Sequence, residues 1–172
     1  MAPTRAAVVA IVLAAASLAG WWFGRHDPGA VSNPMASTGG RFAALVTETV
    51  DGDTVHVETA QGTDTVRLLG VNTPETHHPT KGLECYGPEA SAYTEQVLTG
   101  RRVELELDVE HRDKYGRLLA YVLLDGHRFN DDLLERGYAR VLVIPPNGVH
   151  ARTMLEEQLA AKRARRGLWG AC

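Results

Sequence analysis

Val66-Arg67-Leu68-Leu69-Gly70-Val71-Asn72-Thr73-Pro74-Glu75 is a largely apolar run that carries one arginine and ends in a turn bearing a carboxylate. Its β-branched and aliphatic residues predict a strand over 65–72. Pro74 ends that strand, because proline fixes its own φ and restricts the residue before it. On the N-terminal side, residues 42–50 and 54–59 are two further strand-like runs. Asp51-Gly52-Asp53 and Gln61-Gly62-Thr63 punctuate them, so the three runs read as a meander. On the C-terminal side, Gly87-Pro88 opens a helix that runs to Leu98. Pro88 is tolerated in a first turn, Glu89 suits the helix dipole and Gly100 is the stop.

Val103, Leu105, Leu107 and Val109 then alternate with Glu104, Glu106, Asp108 and Glu110, the pattern of a half-buried strand. Residues 118–124 form a more continuously apolar strand, and Asp125-Gly126 signals a two-residue hairpin. Asn130 is placed to cap a short helix over 131–136, and a last helix is expected over 151–166, closed by Gly167. The expected architecture is α+β, a β-barrel with helices. Five strands with a helix after the third and three helices in all match a five-stranded OB-fold barrel.

The chain has 172 residues and about 130 of them follow the N-terminal peculiarities, one domain's worth. Within residues 1–25, Arg5 is followed by an apolar stretch over 6–24 with Trp21-Trp22-Phe23 at its far end. Both a signal peptide, with Ser17-Leu18-Ala19 before a cleavage point, and a retained membrane anchor fit them. Either exports the domain, to the periplasm or medium or to the outer face of a membrane. Residues 26–40 contain Asp-Pro-Gly, Asn-Pro and Ser-Thr-Gly-Gly and read as a flexible linker, which places the folded domain at 41–172. The net charge of −3 does not advertise a nucleic-acid partner, and residues 41–172 alone carry 16 basic and 20 acidic side chains. Two cysteines exclude a disulfide-built scaffold and a four-thiolate zinc site. Cys85 and Cys172 form at most one bridge, which would tie the C-terminal tail to the loop before the first helix.

Charged residues concentrate in three places: Asp51-Gly52-Asp53-Thr54, the opening stretch with Arg67 and Glu75, and the turn Asp113-Lys114-Tyr115-Gly116-Arg117. Two arginines, a carboxylate base and hard oxygen ligands suit phosphodiester hydrolysis. Guanidinium groups offer paired donors to the negative charge that gathers on phosphoryl oxygens, and a carboxylate accepts a proton from attacking water. Oxygen ligands select Ca²⁺ or Mg²⁺ over softer metals. Outside these places, His77-His78 lacks a metal-ligand partner at helical spacing and reads as surface loop. Lys162-Arg163-Ala164-Arg165-Arg166 is open between a solvated last helical turn and a nucleic-acid patch.

Taken in order and spacing, these segments resemble the staphylococcal nuclease, or thermonuclease, family over residues 46–169. Tyr86-Gly87-Pro88-Glu89-Ala90-Ser91, Asp113-Lys114-Tyr115-Gly116-Arg117 and Pro146-Asn147 with His150 are part of the match. The resemblance implies a Ca²⁺-dependent endonuclease that hydrolyses DNA and RNA to 3′-phosphate products, monomeric by default and in contact with a membrane only through the N-terminal segment if that is uncleaved. It implies Arg67, Glu75 and Arg117 as catalytic residues, with the arginines on the scissile phosphate and Glu75 on the attacking water. Asp53, the side chain of Asn72 and the carbonyl of Thr73 would hold Ca²⁺, and Lys114 and Tyr115 would contact the nucleotide. Asp51 would support the loop.

Two positions depart from the family pattern. Asn72 stands where an aspartate ligand is usual, so weak Ca²⁺ binding is expected, on the order of 10⁻⁴ to 10⁻³ M. Leu142-Val143-Ile144-Pro145 lacks the tyrosines often found near the pocket, so base stacking is weaker. A noncatalytic OB-fold nucleic-acid-binding module is the alternative. Such modules lose the arginines or the carboxylate, and all three are present here.

Overall fold

The computed structural model describes residues 40–76 and 82–172. The expected leader or anchor at 1–25, almost all of the linker at 26–40, and His77-His78 lie outside the described residues. No described helix is long and apolar enough to cross a membrane.

Strands β1 (Arg41–Asp51), β2 (Thr54–Thr59) and β3 (Gly62–Leu68) form the meander, and β5 (Arg102–Arg112) and β6 (Leu118–Leu124) extend it along the other edge of β1; β4 (Gly70–Asn72) stands apart. Parallel pairing of β3 with β6, from Val66 opposite Leu118 to Leu68 opposite Ala120, closes the five strands into a barrel. Register shifts in β1 and between Leu107 and Arg112 in β5 bend the long strands around that closure. Val46, Val55, Val66, Leu68, Leu105 and Val122 fill the interior.

Helix α1 (Gly87–Leu98) has the expected bounds. A hairpin forms at Asp125-Gly126, joining β6 to the short β7 (His127–Arg128). Helix α2 (Phe129–Glu135) starts earlier than expected, and Asn130 does not cap it. Its fully buried amide instead accepts from the Val122 N–H at 2.9 Å and donates to the Leu69 carbonyl at 2.8 Å, tying the helix to two strands. After β8 (Arg140–Leu142), α3 (Ala151–Arg163) stops three residues short of the expected end, and a fourth, four-residue helix, α4 (Leu168–Ala171), follows it.

Two further differences shape the site. The strand expected over 65–72 breaks after Leu68. Gly70 has φ +76°, and a Cβ there would lie 2.3 Å from Met154 Sδ, so α3 occupies the space a side chain would need. The break turns Gly70–Asn72 out of the barrel to pair with Arg140–Leu142, antiparallel, Gly70 opposite Leu142 and Asn72 opposite Arg140. In β5 the simple alternation fails: Glu106 and Asp108 are buried while Val109 is 54% exposed. Residues 147–150 cover that face. Asp108 Oδ2 accepts the N–H groups of Gly148 (2.8 Å) and Val149 (3.1 Å), and Glu106 Oε1 lies 2.7 Å from His150 Nε2. These bonds outweigh the burial of Asp108 and hold its carboxyl below the ordinary range.

Candidate active site

The turn between β1 and β2 is built to bring a carboxylate against the end of β4. Asp51 Oδ1 accepts the Asp53 N–H at 3.0 Å, which sets the turn. At Gly52 a Cβ would stand 2.7 Å from the Thr73 side chain, so only glycine permits this approach. The Gly52 carbonyl accepts the hydroxyl of buried Thr94 at 2.7 Å, anchoring the turn to α1.

Asp53, 6% exposed, accepts the Thr54 hydroxyl at 3.2 Å on one oxygen and the Thr73 N–H at 3.0 Å on the other. Arg67 Nη2 lies 3.0 Å from the second oxygen. Burial outweighs that arginine, and nearby Asp51 adds to burial, so the Asp53 carboxyl is pushed up to about 6. Arg67 also donates to the carbonyls of Leu68 (2.6 Å) and Val71 (2.9 Å), and its other nitrogen reaches Asn72 Oδ1 at 3.4 Å. The break in the strand is what brings those acceptors round its guanidinium.

Beside this cluster opens a cleft of about 520 Å³ whose lining includes Arg67, Lys114, Tyr115, Arg117, Leu142 and Ile144. The Arg117 guanidinium pairs with Asp113 at 2.8 Å, and Asp113 also accepts the backbone N–H groups of Tyr115 and Arg117. Those bonds hold the Asp113 carboxyl below its usual range despite its partial burial. Tyr115 is 72% exposed, with Lys114 Nζ 4.9 Å and the Arg117 guanidinium 5.5 Å from its ring centre.

Four of the expected residues, Arg67, Lys114, Tyr115 and Arg117, therefore line one cleft. Asp53, Asn72 and Thr73 cluster behind Arg67 rather than in the lining. Glu75 also lies outside the lining residues, two positions beyond Thr73, and its Oε1 accepts the Thr76 N–H at 3.0 Å. Its main chain is fixed from across the loop: Glu84 Oε2 accepts the Glu75 N–H at 3.1 Å, and the Glu84 N–H donates to the Glu75 carbonyl at 2.9 Å. Gly87 packs so closely that a Cβ there would lie 2.9 Å from the Glu75 carbonyl oxygen. Next to Glu84, Cys85 forms a disulfide with Cys172. Sequence reasoning missed Glu84 and Thr94. Neither sits in a pattern with chemical meaning, and both act through contacts distant in sequence.

No group of three or more His, Cys, Asp or Glu side chains suited to a metal occurs among the described residues. The oxygens of Asp53, the Asn72 amide and the Thr73 carbonyl form a different kind of set, hard and weakly charged. The three are immediate neighbours, Asp53 Oδ2 accepting the Thr73 N–H at 3.0 Å and Asn72 Nδ2 donating to the Thr73 carbonyl at 3.4 Å. This donor set fits a hard divalent cation.

Residues 65–171 match the family model described as staphylococcal nuclease homologue. The chain is 41% identical over 125 residues to the thermonuclease of Staphylococcus intermedius, covering 73% of this chain and 74% of that protein. It is 37% identical over 124 residues to the thermonuclease of Staphylococcus hyicus, covering 72% and 73%. It is 39% identical over 122 residues to the endonuclease YncB of Bacillus subtilis, covering 70% of this chain and 58% of that protein.

Proposed function

Because the chain belongs to the staphylococcal nuclease family and is a phosphodiester-hydrolysing nuclease, we propose that it is an exported, Ca²⁺-dependent endonuclease that cleaves DNA and RNA to 3′-phosphate products. One observation carries the reading: Arg67 and Arg117, 50 positions apart in sequence by their numbers, line the same cleft as Lys114 and Tyr115.

Arg67 and Arg117 bind the non-bridging oxygens of the scissile phosphate and stabilise the charge that builds there in the transition state. Asp53 and Asp113 hold the two guanidinium groups at the cleft wall, so little reorganisation is needed when the phosphate arrives. Glu75 accepts the proton of the attacking water or orients it. Oxygen attacks phosphorus, the bond from phosphorus to the 5′ oxygen breaks, and the phosphate stays on the 3′ end. Lys114 contacts a terminal phosphate and Tyr115 the nucleoside. Asp53, Asn72 through Oδ1 and Thr73 through its carbonyl would hold Ca²⁺, which supplies charge neutralisation of the phosphate when bound. The protein acts as a monomer, and any membrane contact runs through residues 1–25.

The test is incubation of the full chain with single-stranded DNA, first with Ca²⁺ and then with chelator, beside Glu75→Gln and Arg117→Ala. The parent is expected to cleave only with Ca²⁺ and to leave 3′-phosphate ends. Arg117→Ala should lose about 10²-fold or more in rate, as when a transition-state donor is deleted. A parent with no Ca²⁺-dependent cleavage would overturn the reading in favour of a noncatalytic binding module.

A further inference from the structure

We propose that the outer face of β8 and the end of α3 form a second, non-catalytic contact for the backbone of a single-stranded nucleic acid, continuous with the cleft and centred on Arg140 and Lys162. The proposal rests on the nuclease reading above and extends it from the scissile phosphate to the strand beyond it.

The strand geometry gives the continuity. Within β8, Val141 packs against the core, whereas Arg140 and Leu142 are both exposed. Alternate residues of a strand share a face, so Arg140 stands on the same face as Leu142, and Leu142 lines the cleft. The offset is about 7 Å along the strand, a step of one or two nucleotides of backbone. The Arg140 guanidinium and Lys162 Nζ each lie 5.5 Å from the ring centre of Trp169, which joins the strand to the end of α3. Arg163, Arg165 and Arg166 follow there, all exposed.

Charge pairing sets this region apart from most of the domain's cations, Arg102, Arg152 and the cleft's own Lys114 being the other described ones without a carboxylate partner. Arg41, Arg67, Arg101, Arg112, Arg117, Arg128 and Arg136 each have a carboxylate partner within 4 Å. Arg140, Lys162, Arg163, Arg165 and Arg166 have none among the described residues. Some cationic density is expected at a helix C-terminus, where it suits the dipole. That accounts for the end of α3 and not for Arg140, which is on a strand. Because Arg140 and Lys162 already flank the indole of Trp169, the surface offers charge rather than a stacking platform. A polyphosphate backbone is therefore its ligand, bound without regard to base.

The experiment compares the full-length parent with Arg140→Gln/Lys162→Gln and with a control of equal net charge, Arg101→Gln/Arg102→Gln. Binding is read by fluorescence anisotropy in chelator, and cleavage kinetics are read with Ca²⁺. Two labelled single strands serve as probes, one of about 20 nucleotides and one of about 3, the longer spanning cleft and second contact together. Removing the two charges should weaken binding of the long strand and raise its KM about tenfold, with kcat within about twofold. It should also reduce the slope of log affinity against log salt by about 1.4, from about 0.7 per phosphate contact. The short strand and the control variant should be unaffected. Arg140→Lys/Lys162→Arg, which keeps both charges beside Trp169, should restore parental values and separates charge from packing. An unchanged long-strand affinity and salt slope would overturn the proposal. So would a variant that loses binding only to vesicles of anionic phosphatidylglycerol, which would assign the surface to lipid. A parent that binds in this length-dependent manner yet never cleaves would leave the surface standing and remove the nuclease reading.

Discussion

Glu84 is expected to set the rate of cleavage without touching the substrate. Its carboxylate accepts the Glu75 N–H at 3.1 Å, and its own N–H returns a bond to the Glu75 carbonyl at 2.9 Å. Glu84→Ala removes the first bond and leaves the second. A hydrogen bond to a charged group contributes about 1.5–3 kcal/mol, and half-buried Glu84 belongs at the low end. If that bond holds Glu75 in its reactive orientation, its loss lowers kcat about tenfold, since about 1.4 kcal/mol corresponds to one decade. KM should stay within about twofold, because the phosphate contacts of Arg67 and Arg117 are untouched. Glu84→Gln keeps an oxygen acceptor and should recover most of the rate. Steady-state kinetics on single-stranded DNA with saturating Ca²⁺, with a thermal melt of each variant, make the comparison. A Glu84→Ala protein that is folded and keeps the parental kcat would refute the argument, as would a defect confined to KM.

Three other outcomes are expected. Reducing the Cys85–Cys172 disulfide, which closes 87 residues, should destabilise the domain by about 2–4 kcal/mol, seen as a lower melting temperature with reductant; an unchanged melt would exclude it. Asn72→Asp adds a charged oxygen ligand and should tighten Ca²⁺ binding about tenfold or more by calorimetric titration, and an unchanged affinity would show that position 72 is not a ligand. Burial first, then Asp131 and Glu135, raises the Glu157 carboxyl to about 7, so the folded state disfavours its ionised form and stability falls as pH climbs from about 4.5 to about 7. Discounted for partial exposure, Glu157→Gln should stabilise by about 1–2 kcal/mol in urea melts above pH 7 and change nothing near pH 4. An equal gain at both pH values would point to packing instead.

How far such features could be read in advance depended on the range of the interaction behind them. Strand periodicity, the Asp-Gly hairpin and the Gly87-Pro88 helix start are local, and β2, β6 and α1 have their expected bounds. The break after Leu68 is not local. Residues 65–72 are strand-like throughout, and only Met154, more than eighty positions away, forces Gly70 to turn the chain out of the barrel. The same break wraps Arg67 in the carbonyls of Leu68 and Val71, so the site's detailed hydrogen bonding was illegible for the same reason as the fold's one broken strand. Glu106, Asp108, Asn130 and Glu84 fail a polarity rule in the same way. Each is polar in a position whose burial or task is decided by a segment distant in sequence.

The net charge of −3 shows the same limit at the scale of the whole molecule. A total weighs every carboxylate against every cation, but at physiological salt charges more than about 8–10 Å apart are largely screened. Pairing therefore decides what a partner meets. Asp53, Asp64, Asp113, Asp125 and Asp131 are spent on arginines within the domain. Arg140 and Lys162 are not opposed in this way, so the acidic total and a cationic surface beside the cleft coexist. A strand of nucleic acid approaching that side meets the local balance, and the salt slope of its binding, rather than the isoelectric point, is the measurement that reports it.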